Sequence, residues 1–360
     1  MADKKNKFLE LSSVILILFI FVSGCATAPK ITQENAGPIF WPPAPEAPRL
    51  QFLTSFSSSG DLEAAPGTFR KFILGDEKST KPIVKPYGVA AHGNKIYICD
   101  TVLNSIDVLD IERRKFEYFR PKKEGQLIAP INLSFDTNGD MYVADSRRGQ
   151  VVIFDEAGNS LGAIGNKSEF KPTDVAIRGD KIYVCDIKTH SIRIFGLKDR
   201  QYLSSIPAED AAEEAKLFSP TNMAVDEEGD IYVSDMGSFK VQKYSSDGKF
   251  LMSIGSQGDA AGQFSRPKGI TVDKEGRVYV VDAAFENVQI FDKEGKLLLF
   301  FGEPGGSASL VLPAGVTIDY ALKDYFSSLA DPSFEIEYLV FVTSQYGDRK
   351  LSVFGFGHKR

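Results

Sequence analysis

Aspartate recurs at regular intervals in positions where its chemistry could matter. Five short runs of the form Tyr-x-x-Asp end in this residue, at Asp100, Asp145, Asp186, Asp235 and Asp282. A ring of carboxylates could bind a metal ion or serve in acid–base catalysis. Because the residue recurs once in each regular repeat, we expect a structural role, in which each carboxylate accepts hydrogen bonds from turn N–H groups.

A second polar set follows a proline that recurs every 42 to 48 residues. The second residue after each proline is Gly88, Asn132, Asp174, Asn222, Gly269 or Gly315. Asn132, Asp174 and Asn222 fall in consecutive repeats and offer the oxygen ligands that Ca²⁺ accepts. Glycine, asparagine and aspartate also tolerate a positive φ. A turn that requires this conformation explains all six positions, so we favour it over the calcium site.

Other catalytic patterns are missing from the sequence. The three histidines, His92, His190 and His358, are dispersed and lack zinc-ligand spacing. No nucleophile elbow and no P-loop occur. We therefore assign no catalytic residue and expect a protein that is not an enzyme.

Two cysteines occupy the third place of a Tyr-[Ile/Val]-Cys-Asp run. They are Cys99 and Cys185, and sister repeats carry Ala144, Ser234 and Val281 at the same place. A position shared by cysteine, alanine, serine and valine is typical of tight packing. We predict two buried free thiols and no disulfide, despite an oxidising compartment.

The elements that position these residues form six repeats. After each proline come a short apolar strand, a turn that is commonly Asp-x-x-Gly, the Tyr-x-x-Asp strand, and then two further strands with alternating polarity. Four short strands in about 45 residues, repeated radially, indicate a β-propeller. The sequence predicts an all-β, six-bladed propeller over residues 49–360.

The sixth repeat departs from the pattern. It carries an insertion whose core, residues 321–329, predicts a short helix, and it supplies only three strands of its own. Residues 50–56 match the outermost strands of the other repeats, most closely residues 250–254. We predict that this N-terminal strand completes the sixth blade and closes the ring, which removes both open edges.

The fifth repeat is similar to an NHL repeat over nearly its full length. The matching runs are residues 267–273, 276–282 and 287–291, and five of the six repeats fit well. The resemblance implies a propeller that binds partners, and it implies little about chemistry because one fold hosts many functions.

The candidate calcium ligands resemble the metal site of lactonase-type six-bladed propellers. Those proteins place the acid or amide directly after the proline, whereas this chain has Tyr87, Ile131, Thr173, Thr221, Lys268 and Ala314 there. The resemblance implies an alternative function, a Ca²⁺-dependent hydrolase or lyase with its site at the mouth of the central channel.

The loops between the second and third strands differ from repeat to repeat, as binding loops on a rigid scaffold do. Their apolar residues are Val102, Leu103, Met236, Phe239 and Phe285, and their basic residues are Arg147, Arg148, Lys188 and His190. An exposed apolar patch indicates a partner. Folding of these side chains over neighbouring blades is an equally good interpretation.

Residues 1–24 predict a signal peptide. Three lysines precede an apolar run that is too short for a bilayer, which needs about 20 residues. The run ends in Val22-Ser23-Gly24-Cys25, which resembles a lipobox. The resemblance implies that Cys25 carries a multi-chain lipid anchor of the palmitate type, since one chain binds only marginally. Because Ala26 follows Cys25, we expect the outer membrane if the cell is Gram-negative.

Residues 25–48 are rich in proline near their end and predict a semi-rigid, extended tether that holds the domain up to ~70 Å from the lipid. Trp41 either sits at the lipid interface or packs on the propeller. The net charge of −6 argues against nucleic acid as a partner. Together these features predict a membrane-anchored binding or scaffolding lipoprotein of the cell envelope, with a protein partner and an oligomeric state that the sequence leaves open.

Overall fold

The computed structural model describes residues 37–63 and 80–360, which form six antiparallel sheets. Cys25 and the lipobox lie outside the described residues. Within these ranges no helix is long and apolar enough to cross a membrane.

The first three blades each contain four strands. Blade 1 consists of β3 (Pro86–His92), β4 (Lys95–Asp100), β5 (Ser105–Asp110) and β6 (Lys115–Phe119). Blade 2 consists of β7 (Pro130–Phe135), β8 (Met141–Asp145), β9 (Gln150–Phe154) and β10 (Ser160–Ile164). Blade 3 consists of β11 (Pro172–Arg178), β12 (Lys181–Asp186), β13 (Ser191–Gly196) and β14 (Tyr202–Ile206). In each, neighbouring strands pair in chain order.

Blades 4 and 5 repeat this arrangement, and blade 6 varies it. Blade 4 consists of β15 (Pro220–Val225), β16 (Ile231–Asp235), β17 (Lys240–Tyr244) and β18 (Phe250–Ile254). Blade 5 consists of β19 (Pro267–Val272), β20 (Val278–Asp282), β21 (Asn287–Phe291) and β22 (Leu297–Phe301). Blade 6 consists of β23 (Pro313–Asp319), β24 (Phe334–Ser344) and β25 (Leu351–Lys359), joined by β2 (Leu50–Phe56) and β1 (Phe40–Trp41).

The innermost strands form a closed ring. Each of β3, β7, β11, β15, β19 and β23 contacts the next, and β23 contacts β3. Six hydrophobic clusters fill the gaps between neighbouring blades. Strands such as β16 are buried along their whole length because both faces of a blade pack on its neighbours. The prediction of a six-bladed propeller is confirmed.

The N-terminal strand closes the ring as predicted. β2 pairs with β25 from Leu50, opposite Phe356, to Phe56, opposite Leu351. Leu50 is fully buried in the cluster between blades 5 and 6. Pairing with β2 satisfies the edge that β25 would otherwise present to solvent.

The structure corrects the extent of the extended tether. β1 pairs with β2, and the N–H of Arg49 donates to the carbonyl of Trp41 over 2.7 Å. The Trp41 ring lies 5.8 Å from that of Phe354, and its Nε1–H donates to Glu303 over 3.3 Å. Residues 39–48 therefore fold back onto blade 6, because the apolar side chains of β1 find partners there, and Trp41 packs on the propeller.

The helices within the described ranges are few and short. α1 (Ser59–Glu63) follows β2, and α2 (Lys323–Phe326) with a 3-10 helix (Ser327–Leu329) forms the insertion of blade 6. This confirms the helix predicted at residues 321–329, and Phe326 anchors it in the core between blades 6 and 1. Two further 3-10 turns, Lys123–Gly125 and Glu213–Ala215, precede blades 2 and 4.

Candidate functional site

The repeat aspartates bind backbone N–H groups, as predicted. In blade 5, Asp282 accepts hydrogen bonds from Ser265 and Arg266 in the loop before the blade, at 2.7 and 3.1 Å. It also accepts from Ala284 and Phe285 in the turn after β20, at 2.9 and 3.2 Å. One carboxylate thus holds two loops together on the same face of the propeller, which we call the loop face.

The other repeat aspartates make equivalent bonds. Asp100, Asp145, Asp186 and Asp235 each bind backbone N–H groups on both sides. All five carboxylates are fully buried. In blade 6, Ser344 takes this position and accepts a hydrogen bond from the N–H of Val311 over 3.3 Å. These bonds make the loop face a pre-organised surface.

The prediction of positive φ at the second residue after each proline is wrong. Positive φ falls instead on the fourth residue after each repeat aspartate, with values of 52° to 69° at Asn104, Gly149, His190, Phe239 and Glu286. Glycine is required near the channel for another reason. A Cβ on Gly269 would lie 2.6 Å from the carbonyl oxygen of Ala314, and one on Gly315 would lie 2.4 Å from that of Tyr87. Neighbouring inner strands approach too closely for a side chain.

Asn132, Asp174 and Asn222 come together in the ring, as their spacing suggested. Asp174 Oδ2 accepts hydrogen bonds from the N–H of Met223 and from Asn222 Nδ2, at 2.9 and 3.4 Å. Its Oδ1 accepts from the N–H of Val175 over 2.8 Å. Burial raises the pKa of Asp174 to about 7, although these hydrogen bonds and one from Asn132 lower it.

This cluster does not fit a calcium ion. Ca²⁺ takes six to eight oxygen ligands, usually including several carboxylates. Here the only carboxylate already accepts N–H bonds from both oxygens, and Asn132 Oδ1 accepts from the N–H of Leu133 over 3.0 Å. Of the three side chains, only Asn222 has an oxygen without a hydrogen-bond partner. Residues 37–63 and 80–360 contain no group of three or more His, Cys, Asp or Glu side chains that could hold a metal.

Two side chains from different blades meet at the loop-face end of the central channel. Tyr87 of blade 1 and Lys268 of blade 5 meet there, with the Lys268 ammonium 4.8 Å from the centre of the Tyr87 ring. Behind them lies a cavity of about 370 Å³ that is lined by the inner strands of all six blades and reached by Asn132 and Asp174. Burial, and secondly the Asp174 carboxylate, raises the pKa of Tyr87 to about 12. The two residues are 181 positions apart in the chain, so no local sequence pattern predicts their contact.

The apolar residues predicted for the loop face divide into two groups. Val102 is 56% exposed, whereas Leu103, Met236, Phe239 and Phe285 are half-buried against the blades. Three exposed apolar residues of the same face were missed: Ile128, Phe218 and Tyr346, which are 39%, 49% and 52% exposed. The N–H groups of Ile128 and Phe218 bind the repeat aspartates, so the position two residues before the blade proline was the available signal.

The predicted basic residues also differ in role. Arg148 donates to the carbonyls of Gln126 and Glu124, at 2.7 and 2.6 Å, and so holds the loop before blade 2. Arg147, Lys188 and His190 are exposed. Lys188 and His190 border an open groove of about 670 Å³ between blades 3 and 4.

Both predicted thiols are free and fully buried. Cys99 packs between blades 1 and 2, and Cys185 packs between blades 3 and 4. Burial raises the pKa of each thiol well above its ordinary value. The thiolate, which is the reactive form, is therefore suppressed at both positions.

Comparison with solved structures supports the six-bladed propeller fold. A protein of unknown function from Bacteroides thetaiotaomicron matches with a TM-score of 0.58 at 15% identity, covering 85% of this chain and 75% of that chain. A gluconolactonase from Xanthomonas campestris matches with a TM-score of 0.57 at 15% identity, covering 90% and 99%. A virginiamycin B lyase from Staphylococcus aureus matches with a TM-score of 0.51 at 10% identity, covering 76% and 95%. At this identity the likeness extends to the fold alone.

No protein-family model matches the sequence, and no curated protein matches it. The class of protein is therefore defined by its architecture: a six-bladed β-propeller with neighbours among hydrolase- and lyase-type propellers.

Proposed function

We propose that this protein is a lipid-anchored, extracytoplasmic binding or scaffolding protein that docks a protein partner on its loop face. The observation that carries the proposal is a set of exposed apolar side chains on the loop face, where the loops are held by buried Asp100, Asp145 and Asp235 and, in blade 6, by Ser344. The four side chains are Val102, Ile128, Phe218 and Tyr346, each at least 39% exposed. From these four exposed apolar side chains on pre-ordered loops we infer an interaction site.

The rigidity of the loop face favours binding. Loops that are already ordered lose little conformational entropy when a partner docks, so more of the contact energy appears as affinity. The exposed residues Arg147, Lys188 and His190 give the face a basic sector. A partner with an apolar patch and an acidic edge fits this surface, whereas the net charge of −6 disfavours nucleic acid.

The anchor in this proposal is the lipid predicted on Cys25. The supporting pattern is the sequence Val22-Ser23-Gly24-Cys25 after a short apolar run, together with NHL-type repeats in the propeller. Two or more acyl chains would hold the protein on the membrane stably. In a Gram-negative cell, Ala26 after the cysteine favours the outer membrane.

The test is crosslinking in intact envelopes with variants of matched exposure. V102S/F218S removes exposed apolar surface from the loop face, and L203S/L298S removes it from the outer wall, where Leu203 and Leu298 are 53% and 52% exposed. We expect V102S/F218S to lose the crosslinked partner, while L203S/L298S retains it. Equal retention by both variants would remove the loop face from the proposal.

The same preparations test the enzyme alternative. A Ca²⁺-dependent hydrolase or lyase would need a cation at Asn132, Asp174 and Asn222. We expect neither CaCl2 nor a chelator to shift the melting temperature, because the oxygens of Asp174 already accept N–H bonds. A clear calcium-dependent rise that disappears in D174A would favour the enzyme.

A further inference from the structure

The side chain of Lys268 is largely buried, but its ammonium group has no hydrogen-bond partner in the described residues. Lys268 is only 8% exposed, and within the described ranges its Nζ makes neither a hydrogen bond nor an ion pair. Its Nζ lies 4.8 Å from the centre of the Tyr87 ring. Burial of an unpaired charge costs several kcal/mol in general, so such a group is normally paired or neutralised.

The position of Lys268 is the mouth of the central channel. Lys268 belongs to blade 5 and Tyr87 to blade 1, and blade 6 lies between them. Side chains of blades that are not neighbours can meet only across the ring axis. The carbonyl of Tyr87 accepts a hydrogen bond from the Thr343 hydroxyl of blade 6, which fixes the backbone under this contact.

Two further cations stand at the mouth. Lys85 and Arg266 each precede the proline that opens their blade, and neither makes an ion pair among residues 37–63 and 80–360. Lys85 Nζ lies 5.5 Å from the centre of the Tyr346 ring. Burial, together with the charges of Arg266 and Lys85, lowers the pKa of Lys268 to about 8.

The nearby carboxylates do not compensate these charges. Asp174 lies behind the mouth and accepts N–H bonds from both of its oxygens. Asp100 and Asp282 are committed to backbone N–H groups of the loops. The mouth therefore carries unneutralised positive charge, although the chain as a whole has a net charge of −6.

We propose that the mouth binds one oxyanion group, a carboxylate or phosphate, with the Lys268 ammonium as its main ligand and with Arg266 and Lys85 beside it. Tyr87 forms the wall against which Lys268 is held. An anion here would supply the partner that the Lys268 ammonium lacks, and a charge-assisted bond to a largely buried side chain is stronger than one in open solvent. The site lies at the centre of the loop face, but it can bind a free anion whether or not a protein docks around it.

Calorimetric titration of the full chain with inorganic phosphate and with acetate, at constant ionic strength, tests the site. We expect one binding event for the wild type and at least a tenfold loss of affinity in K268M. K274M is the matched control, because Lys274 also stacks on a tyrosine, with its Nζ 4.3 Å from the centre of the Tyr320 ring, but is exposed in the turn between β19 and β20. K274M should bind as the wild type does.

K268M should fold, because methionine fills a similar volume and carries no buried charge. R266M, which changes an exposed side chain, provides a second variant and should bind severalfold more weakly. Absence of saturable binding of both anions to the wild type, or wild-type affinity in K268M, would overturn the proposal.

Crosslinking of K268M in envelopes identifies the source of the anion. Loss of the partner in K268M would show that the partner carries the anionic group, and retention, given anion binding by the wild type, would assign it to a small molecule. The calorimetric result stands by itself if no partner docks on the loop face, so failure of the two proposals can be told apart.

Discussion

In each of the five regular blades, one buried aspartate at the end of the second strand holds two loops of the loop face. Asp282 and its counterparts lie at the end of the second strand and accept N–H bonds from the loop before the blade and the turn after it. An ionised carboxylate accepts up to four such bonds, which serine at the same place in blade 6 cannot do. The loops of the five regular blades are therefore fixed by charge-assisted hydrogen bonds.

Two replacements of Asp282 distinguish the stability that comes from its hydrogen bonds from the stability that comes from its volume. D282A leaves four loop N–H groups without an acceptor, and we expect a loss of about 3 kcal/mol or more in the free energy of unfolding. D282N keeps one oxygen acceptor and should lose about half as much. Denaturant unfolding of both variants measures the difference. Equal stability of D282A and the wild type would contradict the capping role.

A second buried carboxyl makes stability depend on pH. Burial, and secondly the charge of Asp100, raises the pKa of Asp107 from 3.8 to about 8. The unfolded chain loses this proton near its ordinary pKa, whereas the folded protein keeps it until about pH 8. Between these two pKa values the folded state binds more protons than the unfolded chain. The free energy of unfolding therefore falls as the pH rises from about 4 to about 8.

D107N should remove that dependence. Relative to the wild type, we expect D107N to gain on the order of 1 kcal/mol per pH unit between about pH 5 and pH 8. Asp174, whose pKa is also raised, is present in both proteins and cancels in the comparison. Denaturant unfolding of D107N and the wild type at several pH values measures this difference in the free energy of unfolding. A difference that does not vary with pH would show that Asp107 is ionised in the folded protein.

At the scale of elements, the outer strands share a bulge. The register between the third and fourth strands shifts at one residue in five of the blades, with β2 as the fourth strand of blade 6. That residue is leucine each time: Leu53, Leu161, Leu203, Leu251 and Leu298. Bulges disrupt the hydrogen-bonding edge and discourage pairing with other chains. We infer that the bulged leucines protect the wall of the propeller from edge-to-edge association.

Two leucines of β2 provide a matched test of ring closure. Leu50 is fully buried between blades 5 and 6, whereas Leu53 is the half-buried bulge residue. We expect L50A to cost about 2–4 kcal/mol and L53A about 1 kcal/mol or less. Thermal or denaturant unfolding measures both. Similar costs for the two variants would mean that β2 does not contribute to the closing core as described.

The repeat pattern predicted the elements well because it is local. Strand order, the helical insertion and the closing role of residues 50–56 all follow from periodic apolar runs and from one strand missing in the last repeat. The residues of positive φ were predicted at the wrong positions. Gly269 and Gly315 are needed for close packing between neighbouring inner strands, and no local pattern reveals that contact. The β1 hairpin was read as an extended tether for the same reason, since Trp41 finds its partners about 260 and 313 residues away.

Of the candidate site, the sequence predicted Val102 and the basic sector but not Phe218, Lys268 or Tyr87. The position two residues before the blade proline is apolar in five of the six blades, which carry Val84, Ile128, Phe170, Phe218 and Val311 there. This pattern does not reveal exposure, because Phe170 is buried whereas Ile128 and Phe218 are exposed. The contact between Lys268 and Tyr87 at the channel mouth forms only when the whole ring is closed. Residues that meet only across the axis become neighbours when all six blades are in place.

For the whole molecule, the anchor and the propeller are separate predictions. We expect C25S to move the protein from the membrane fraction to the soluble fraction of the envelope without changing its melting temperature, because Cys25 lies outside residues 37–63 and 80–360, which form the propeller. Fractionation and metabolic labelling with a palmitate analogue measure this. An unchanged membrane fraction for C25S would show that another feature holds the protein there.

The loop face as a docking surface is tested most directly by placing a photo-crosslinking amino acid at single positions in living cells. Ile128, Phe218 and Tyr346 report on the loop face, and Leu203 and Leu251 report on the outer wall at similar exposure. We predict the same crosslinked partner from all three loop-face positions and none from the wall. Crosslinks from the wall positions alone would contradict the account.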